Sequence, residues 1–135
     1  MPQILVIEDN EPLLESTVRI LSSAGYDVLG ARSGREGLRV WRELGADLVI
    51  TDVRMADIDG LQVILELRAA APRLPVIVMS GDPGISAHLL RDVPGSRSVS
   101  FLAKPFRKAQ LLAAAASALD AEGPEQETGR PRAGS

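Results

Sequence analysis

The chain has 135 residues, of which 45% are hydrophobic and 24% charged, and its formal net charge is -3. A chain of this length can bury one hydrophobic core, and its weak negative charge gives no reason to expect direct nucleic-acid binding or attraction to anionic lipid. Cysteine is absent, which excludes disulfides, thiolate catalysis and cysteine-ligated zinc and agrees with a reducing, cytoplasmic location. We expect no secretory signal and no membrane insertion, because no apolar run approaches the roughly 20 residues that cross a bilayer.

Short apolar runs alternate along the chain with segments of helical periodicity, which predicts βαβ units around a parallel sheet. Strands are predicted at Gln3 to Ile7, Asp27 to Ala31, Asp47 to Thr51, Val76 to Ser80 and Val99 to Ala103. The first, third and fourth contain the unbroken apolar runs ILVI, LVI and VIVM. Strands have unbroken apolar sequences when helices cover both faces of the sheet, so we predict that these three are the central strands.

The first two helices have clear end signals and apolar faces. The first opens at Pro12 and ends before Gly25, with an apolar face formed by Leu13, Leu14, Thr17, Val18 and Leu21. The second runs from about Gly34 to Leu44, with Gly45 as its stop. We expect its core side to carry Leu38, Leu44 and a half-buried Trp41.

Three further helices are predicted. The third opens around Asp59 and Gly60, ends before Pro72 and buries Leu61, Ile64 and Leu65. A short fourth helix is expected between Ile85 and Arg91, where glycine and proline bracket the segment on both sides. The fifth runs from Arg107 to about Asp120 and contains an alanine run of high helix propensity, with Leu112 and Leu119 as its anchors.

The last fifteen residues, AEGPEQETGRPRAGS, contain no apolar residue larger than alanine. Such a segment buries too little surface to offset the entropy lost on ordering. We therefore divide the chain into a folded domain at residues 1–120 and a disordered tail or linker stub at residues 121–135.

Five polar side chains lie at or just after the ends of four predicted strands, and the carboxyl ends of parallel strands meet at one edge of the sheet, where such folds bind ligands. They are Glu8, Asp9, Asp52, Ser80 and Lys104. A carboxylate at the end of a buried strand costs free energy unless something compensates its charge, and three converging carboxylates repel one another unless a cation lies among them. Mg²⁺ suits such a site, because it prefers oxygen ligands and keeps several waters.

Four motifs occur in chain order at the ends of these strands: IEDN, TDVRMADIDG, MSG and FLAKPF. Together they resemble the receiver domain of bacterial two-component response regulators, of the stand-alone type found in chemotaxis, and the resemblance extends over residues 3–119. It implies an α/β fold, a flavodoxin-like doubly wound five-stranded parallel sheet of order 2-1-3-4-5 with five helices. It also implies a signalling module rather than an enzyme, with no output domain on this chain.

The resemblance implies a role for each acidic residue. Asp52 would accept a phosphoryl group from a sensor histidine kinase or a phosphotransfer protein. Asp9 would hold Mg²⁺ directly and Glu8 through water, with Asp52 and the backbone carbonyl of Arg54 as further ligands.

It also implies how the phosphoryl group is recognised and read out. Lys104 would bind phosphoryl oxygens, Ser80 would hydrogen-bond one of them, and a cis bond between Lys104 and Pro105 would direct the ammonium to the site. Phe101 matches the switch aromatic of the family. The downstream effector protein would bind the face formed by the fourth helix, fifth strand and fifth helix.

Other classes of function fit the residues less well. An aspartate-nucleophile phosphatase needs a second acid two residues after the nucleophile, where this chain has Arg54. A flavin-binding module needs a phosphate-binding first loop, whereas the loop here, EDNEP, places carboxylates at that position. A receiver-like module that binds its partner without phosphorylation stays open as an alternative.

Overall fold

The computed structural model describes residues 2–53, 60–81 and 99–122 of the chain. Its strands are β1 (Gln3–Ile7), β2 (Asp27–Ala31), β3 (Leu48–Asp52), β4 (Val76–Ser80) and β5 (Val99–Ala103). They form one parallel sheet in the order β2-β1-β3-β4-β5, which confirms the predicted fold class. β3 begins and ends one residue later than predicted, so Asp52 is its last residue and pairs with Met79.

The helices of the described residues are α1 (Glu11–Ser23), α2 (Gly34–Leu44), α3 (Gly60–Ala70) and α4 (Lys108–Glu122). α4 is the helix that the sequence predicts as the fifth. The helix predicted between Ile85 and Arg91 lies outside the described residues, as do residues 123–135 of the predicted tail. None of the described helices combines the length and the apolar character needed to cross a bilayer.

Two helices begin at caps that the sequence supplies. The Asn10 side chain accepts a hydrogen bond from the Leu13 N–H at 3.1 Å, and the Ser33 hydroxyl accepts one from the Glu36 N–H at 3.1 Å. Each cap satisfies a backbone donor that has no partner within its helix. Asn10 thereby starts α1 directly after the carboxylates that follow β1.

The core lies on both faces of the sheet, as the unbroken apolar strands predict. Alternate residues of β1 face opposite sides: Leu5 and Ile7 pack in the cluster with α2 and α3, whereas Ile4 and Val6 pack in the cluster with α1 and α4. All four side chains are fully buried. A charged residue at the end of such a strand is therefore placed at the rim of the core rather than in open solvent.

The structure corrects several predicted burials. Trp41 is 2% exposed rather than half-buried, whereas Leu44 is 54% exposed because it is the last residue of α2. Leu65 is 40% exposed, because each residue turns the helix by about 100° and Val63, Ile64 and Leu67 occupy the core face of α3 instead. The same geometry gives α4 its buried anchors at Leu111 and Ala115, with Leu112 and Leu119 half-buried beside them.

Candidate functional site

The polar residues predicted to converge all lie at the carboxyl edge of the sheet. Glu8 and Asp9 follow β1, Asp52 ends β3, Ser80 ends β4 and Lys104 follows β5. Backbone hydrogen bonds continue past the strand ends, from the Glu8 N–H to the Ala31 carbonyl at 3.0 Å and from the Lys104 N–H to the Ser80 carbonyl at 2.8 Å. The backbone at these positions is thus held by the sheet itself.

Three carboxylates form an acidic cluster at this edge. One oxygen from each of Glu8, Asp9 and Asp52 lies within 4.8 Å of the other two. Glu8 is 1% exposed and Asp52 is 8% exposed, whereas Asp9 is exposed. The cluster therefore has a buried inner side and a side that opens to solvent.

Lys104 lies between the two buried carboxylates. Its Nζ is 2.8 Å from Asp52 Oδ2 and 2.9 Å from Glu8 Oε1. The Lys104–Pro105 peptide bond is cis, as the resemblance implies. One ammonium thus balances part of the negative charge that the cluster gathers.

Burial raises the pKa of Glu8 above its ordinary value, because desolvation of the carboxylate outweighs the stabilising hydrogen bonds from Lys104 and from the Asn10 N–H. The negative charge of Asp52 adds to this increase. Burial alone would lower the pKa of Lys104, but its hydrogen bonds to Asp52 and Glu8 outweigh that effect and raise the pKa. The site thus favours a charged lysine and resists a charged Glu8.

These shifts predict how Glu8 affects stability in the absence of metal. Because its folded-state pKa is raised, the contribution of Glu8 is fully present below its ordinary pKa of 4.5 and is lost as the pH rises through the higher folded value. The folded-state pKa of Lys104 is also raised, so its contribution to stability is fully present below its ordinary pKa of 10.5 and is lost only in more alkaline solution. We expect Glu8→Gln to gain stability relative to the unaltered protein as the pH rises from 4.5 towards neutrality.

Chemical denaturation of both proteins in EDTA at several pH values measures this difference. At pH values below 4.5 the two free energies of unfolding should differ by a constant amount. If Glu8→Gln gains no stability relative to the unaltered protein between pH 4.5 and neutral pH, the effect of burial on Glu8 is contradicted.

The donor set fits a hard divalent cation. It consists of carboxylate oxygens that are close enough to share one ion, and its member Asp9 is exposed to solvent. Mg²⁺ meets these conditions because it binds through few protein oxygens and keeps water ligands. Arg54, whose carbonyl the resemblance adds to the ligand set, lies outside the described residues.

Sequence reasoning missed two partners of the acidic residues. The Asn10 N–H donates to Glu8 Oε2 at 3.1 Å, so both oxygens of Glu8 accept hydrogen bonds. The Thr51 hydroxyl donates to the Asp52 carbonyl at 3.0 Å. The helix-capping pattern that identifies Asn10 was the available signal for the first contact, because a cap at that position brings its backbone close to Glu8.

Phe101 lies on β5, where it pairs with Val78 of β4. Its side chain is half-buried and packs against the core cluster on the α2 and α3 side of the sheet. The strand that carries Phe101 ends one residue before Lys104. The same strand therefore carries Phe101 and leads directly to Lys104 in the acidic site.

Comparison with known proteins adds independent information. The family model described as "Response regulator receiver domain" matches residues 4–116. The transcriptional regulatory protein GlrR of Escherichia coli (strain K12) is 37% identical over 121 residues, an alignment that covers 90% of this chain and 27% of GlrR. The sensor kinase CckA of Brucella abortus (strain 2308) is 37% identical over 110 residues, covering 80% of this chain and 11% of CckA.

Solved structures agree with these matches. A response regulator receiver domain protein from Clostridium thermocellum superposes with a TM-score of 0.79 at 29% identity, covering 90% of this chain and 96% of that one. In contrast, the chain spans less than a third of the length of GlrR or CckA. The similarity is therefore to one domain of those larger proteins.

Proposed function

This chain belongs to the response regulator receiver domain family, whose members are signalling modules that pair with histidine kinases, and on that basis we propose that Asp52 is its phosphoryl acceptor. The donor would be the phosphohistidine of a sensor histidine kinase or of a phosphotransfer protein. The contact of Asp52 Oδ2 with Lys104 Nζ at 2.8 Å, inside the acidic cluster, is the observation that carries this proposal.

In the proposed reaction an Asp52 carboxylate oxygen attacks phosphorus, the new O–P bond forms, and the P–N bond to the donor histidine breaks with its electron pair returning to the imidazole. Such transfers depend on positioning and on stabilising charge more than on covalent help from the protein. Lys104 holds the acceptor in place and then stabilises the oxygens of the transferred group. Mg²⁺, held by Glu8, Asp9, Asp52 and the Arg54 carbonyl, would supply the remaining positive charge.

Burial and hydrogen bonding support Asp52 over Glu8 as the acceptor. Glu8 is 1% exposed and has both oxygens in hydrogen bonds, one of them to the backbone of the next loop. Asp52 is 8% exposed and ends β3, the middle strand of the sheet, with elements of the site on both sides. We therefore assign Glu8 and Asp9 to metal binding, and Asp52 both to metal binding and to the chemistry.

We propose that phosphorylation is read out through Ser80 and Phe101. A phosphoryl group adds a charge of about -1.5 to -2 and oxygens that Ser80 and Lys104 can contact. Ser80 is 4% exposed, and β4 pairs with β5, which carries Phe101, so movement at Ser80 can shift the packing of Phe101. The effector would bind, in the cytoplasm, the face formed by β5, α4 and the helix predicted between Ile85 and Arg91.

Phosphotransfer tests this function directly. A histidine kinase or phosphotransfer protein carrying labelled phosphohistidine should pass its label to this chain when Mg²⁺ is present and fail to do so in EDTA. A folded chain that accepts no label from kinases or from acetyl phosphate, yet binds an effector, would instead favour the alternative of a phosphorylation-independent interaction module.

A further inference from the structure

α2 approaches the end of β1 closely at Gly37. Gly37 is buried, and a Cβ built at this position would lie 2.4 Å from Ile7 Cδ1, 2.6 Å from Ile7 Cγ1 and 3.2 Å from Ile7 Cγ2. Carbon atoms do not pack at the first two distances, so a side chain here requires that something moves. The helix can lie this close to the strand only because residue 37 has no side chain.

Ile7 has little room to move away. It is fully buried in the cluster with α2 and α3, and its backbone lies between two strands, paired with Ala31 on β2 and Thr51 on β3. The 2.6 Å contact involves Cγ1, which carries Cδ1, so rotation of the terminal methyl alone does not relieve the overlap. Displacement would thus fall on the Ile7 backbone or on the position of α2.

The residues after Ile7 are the acidic ones. Glu8 and Asp9 belong to the cluster whose oxygens lie within 4.8 Å of one another. The Glu8 N–H donates a hydrogen bond to the Ala31 carbonyl at 3.0 Å. If the displacement falls on the Ile7 backbone, it would change the separation of the Glu8 and Asp9 oxygens from Asp52. Mg²⁺ requires ligands at a near-ideal short distance, so its affinity is sensitive to such a shift.

We propose that Gly37 is a positioning residue for the metal site: by leaving space for Ile7, it sets the place of Glu8 and Asp9 at the end of β1. This proposal rests on the proposed function, because it concerns Mg²⁺ binding at the same site. Gly37 lies on α2 and is not a member of the acidic cluster. Its influence runs through the Ile7 side chain and the backbone of β1.

Gly37→Ala is the direct test. Its Mg²⁺ dissociation constant is measured from backbone amide chemical shifts during a MgCl₂ titration. We expect affinity to fall about tenfold, the lower end of what altered support of a metal ligand costs. Alanine is the better helix former, so propensity alone predicts a more stable protein with unchanged affinity. A folded Gly37→Ala protein with unaltered Mg²⁺ affinity would overturn the proposal.

Gly30→Ala is the matched control. It adds the same methyl group on β2, where the nearest atoms are Leu14 Cδ1 at 3.3 Å and Val18 Cγ2 at 3.4 Å, both ends of side chains on α1. Its Mg²⁺ dissociation constant should stay within about twofold of the unaltered protein. A loss equal to that of Gly37→Ala would show a general effect of packing and would also overturn the proposal.

Rescue separates positioning from simple destabilisation. The double variant Ile7→Val/Gly37→Ala lacks Cδ1, the atom closest to the new Cβ, and its Cγ1 is a terminal methyl that can shift. Most of the Mg²⁺ affinity lost in Gly37→Ala should therefore return. If Gly37→Ala does not fold, this double variant decides the question. It should bind Mg²⁺ about threefold more weakly than Ile7→Val, because the added Cβ still meets a γ carbon, and equal affinities would overturn the proposal.

The titration also distinguishes this proposal from the proposed function. If the unaltered protein does not bind Mg²⁺ at the acidic cluster, the metal site itself has failed. If it binds Mg²⁺ there and Gly37→Ala binds equally well, only the role of Gly37 is wrong.

Discussion

Replacing Asp52 with asparagine is expected to reduce phosphoryl labelling to background while the protein stays folded. Asparagine keeps the shape of the side chain but lacks the anionic oxygen that attacks phosphorus. The substitution also removes one of three clustered negative charges, which offsets the loss of the ion pair with Lys104, so the free energy of unfolding in EDTA should be unchanged or higher. The measurement is the intact mass after incubation with acetyl phosphate and Mg²⁺, together with denaturation of the same protein.

Asp27→Asn is the control for this experiment. Asp27 is an exposed residue at the start of β2, at the opposite edge of the sheet from the acidic cluster. The same chemical change there should leave labelling at the level of the unaltered chain. Undiminished labelling of Asp52→Asn would show that another residue is the acceptor.

Replacing Lys104 with alanine is expected to destabilise the metal-free protein strongly. Lys104 forms ion pairs with Asp52 and Glu8, which are almost completely buried. Removing one partner of a fully buried ion pair costs about 3–5 kcal/mol, and since the Lys104 side chain is 25% exposed we expect about 2–3 kcal/mol. The free energy of unfolding in EDTA at neutral pH measures this loss.

Mg²⁺ should then recover part of the lost stability. The metal would replace the missing positive charge, so it should stabilise Lys104→Ala more than it stabilises the unaltered protein. Lys108→Ala, which removes an exposed lysine in the first turn of α4, should change stability by no more than about 0.5 kcal/mol and should not alter the effect of Mg²⁺. Equal losses for the two variants would show that the Lys104 ion pairs do not stabilise the fold.

Most of the fold is predictable from local pattern. Unbroken apolar runs identify β1, β3 and β4 as central strands, and glycine, proline and capping residues place the ends of α1, α2 and α3 within a few residues. The strand order follows from the family resemblance rather than from periodicity, and the structure confirms it. The division at residues 120 and 121 stays a prediction.

The acidic site is predictable in its members but not in its detail. Parallel strands bring their carboxyl ends to one edge, which is why Glu8, Asp9, Asp52 and Lys104 meet. How deeply each of these side chains is buried depends on how the helices cover that edge. The sequence therefore does not predict the ion pair of Lys104 with the buried Glu8. Contacts between helix and strand, such as Gly37 with Ile7, depend on distances of a few tenths of an ångström that no sequence pattern specifies.

Locating the phosphoryl group on the chain tests the central claim most directly. After incubation with acetyl phosphate and Mg²⁺, borohydride reduction converts an aspartyl phosphate to homoserine, and peptide mass spectrometry shows where homoserine lies. We predict homoserine at position 52 alone, and its absence when EDTA replaces Mg²⁺. Reduction product at position 8 or 9, or a phosphorylated chain with an unmodified Asp52, would contradict the assignment of Asp52 as the acceptor.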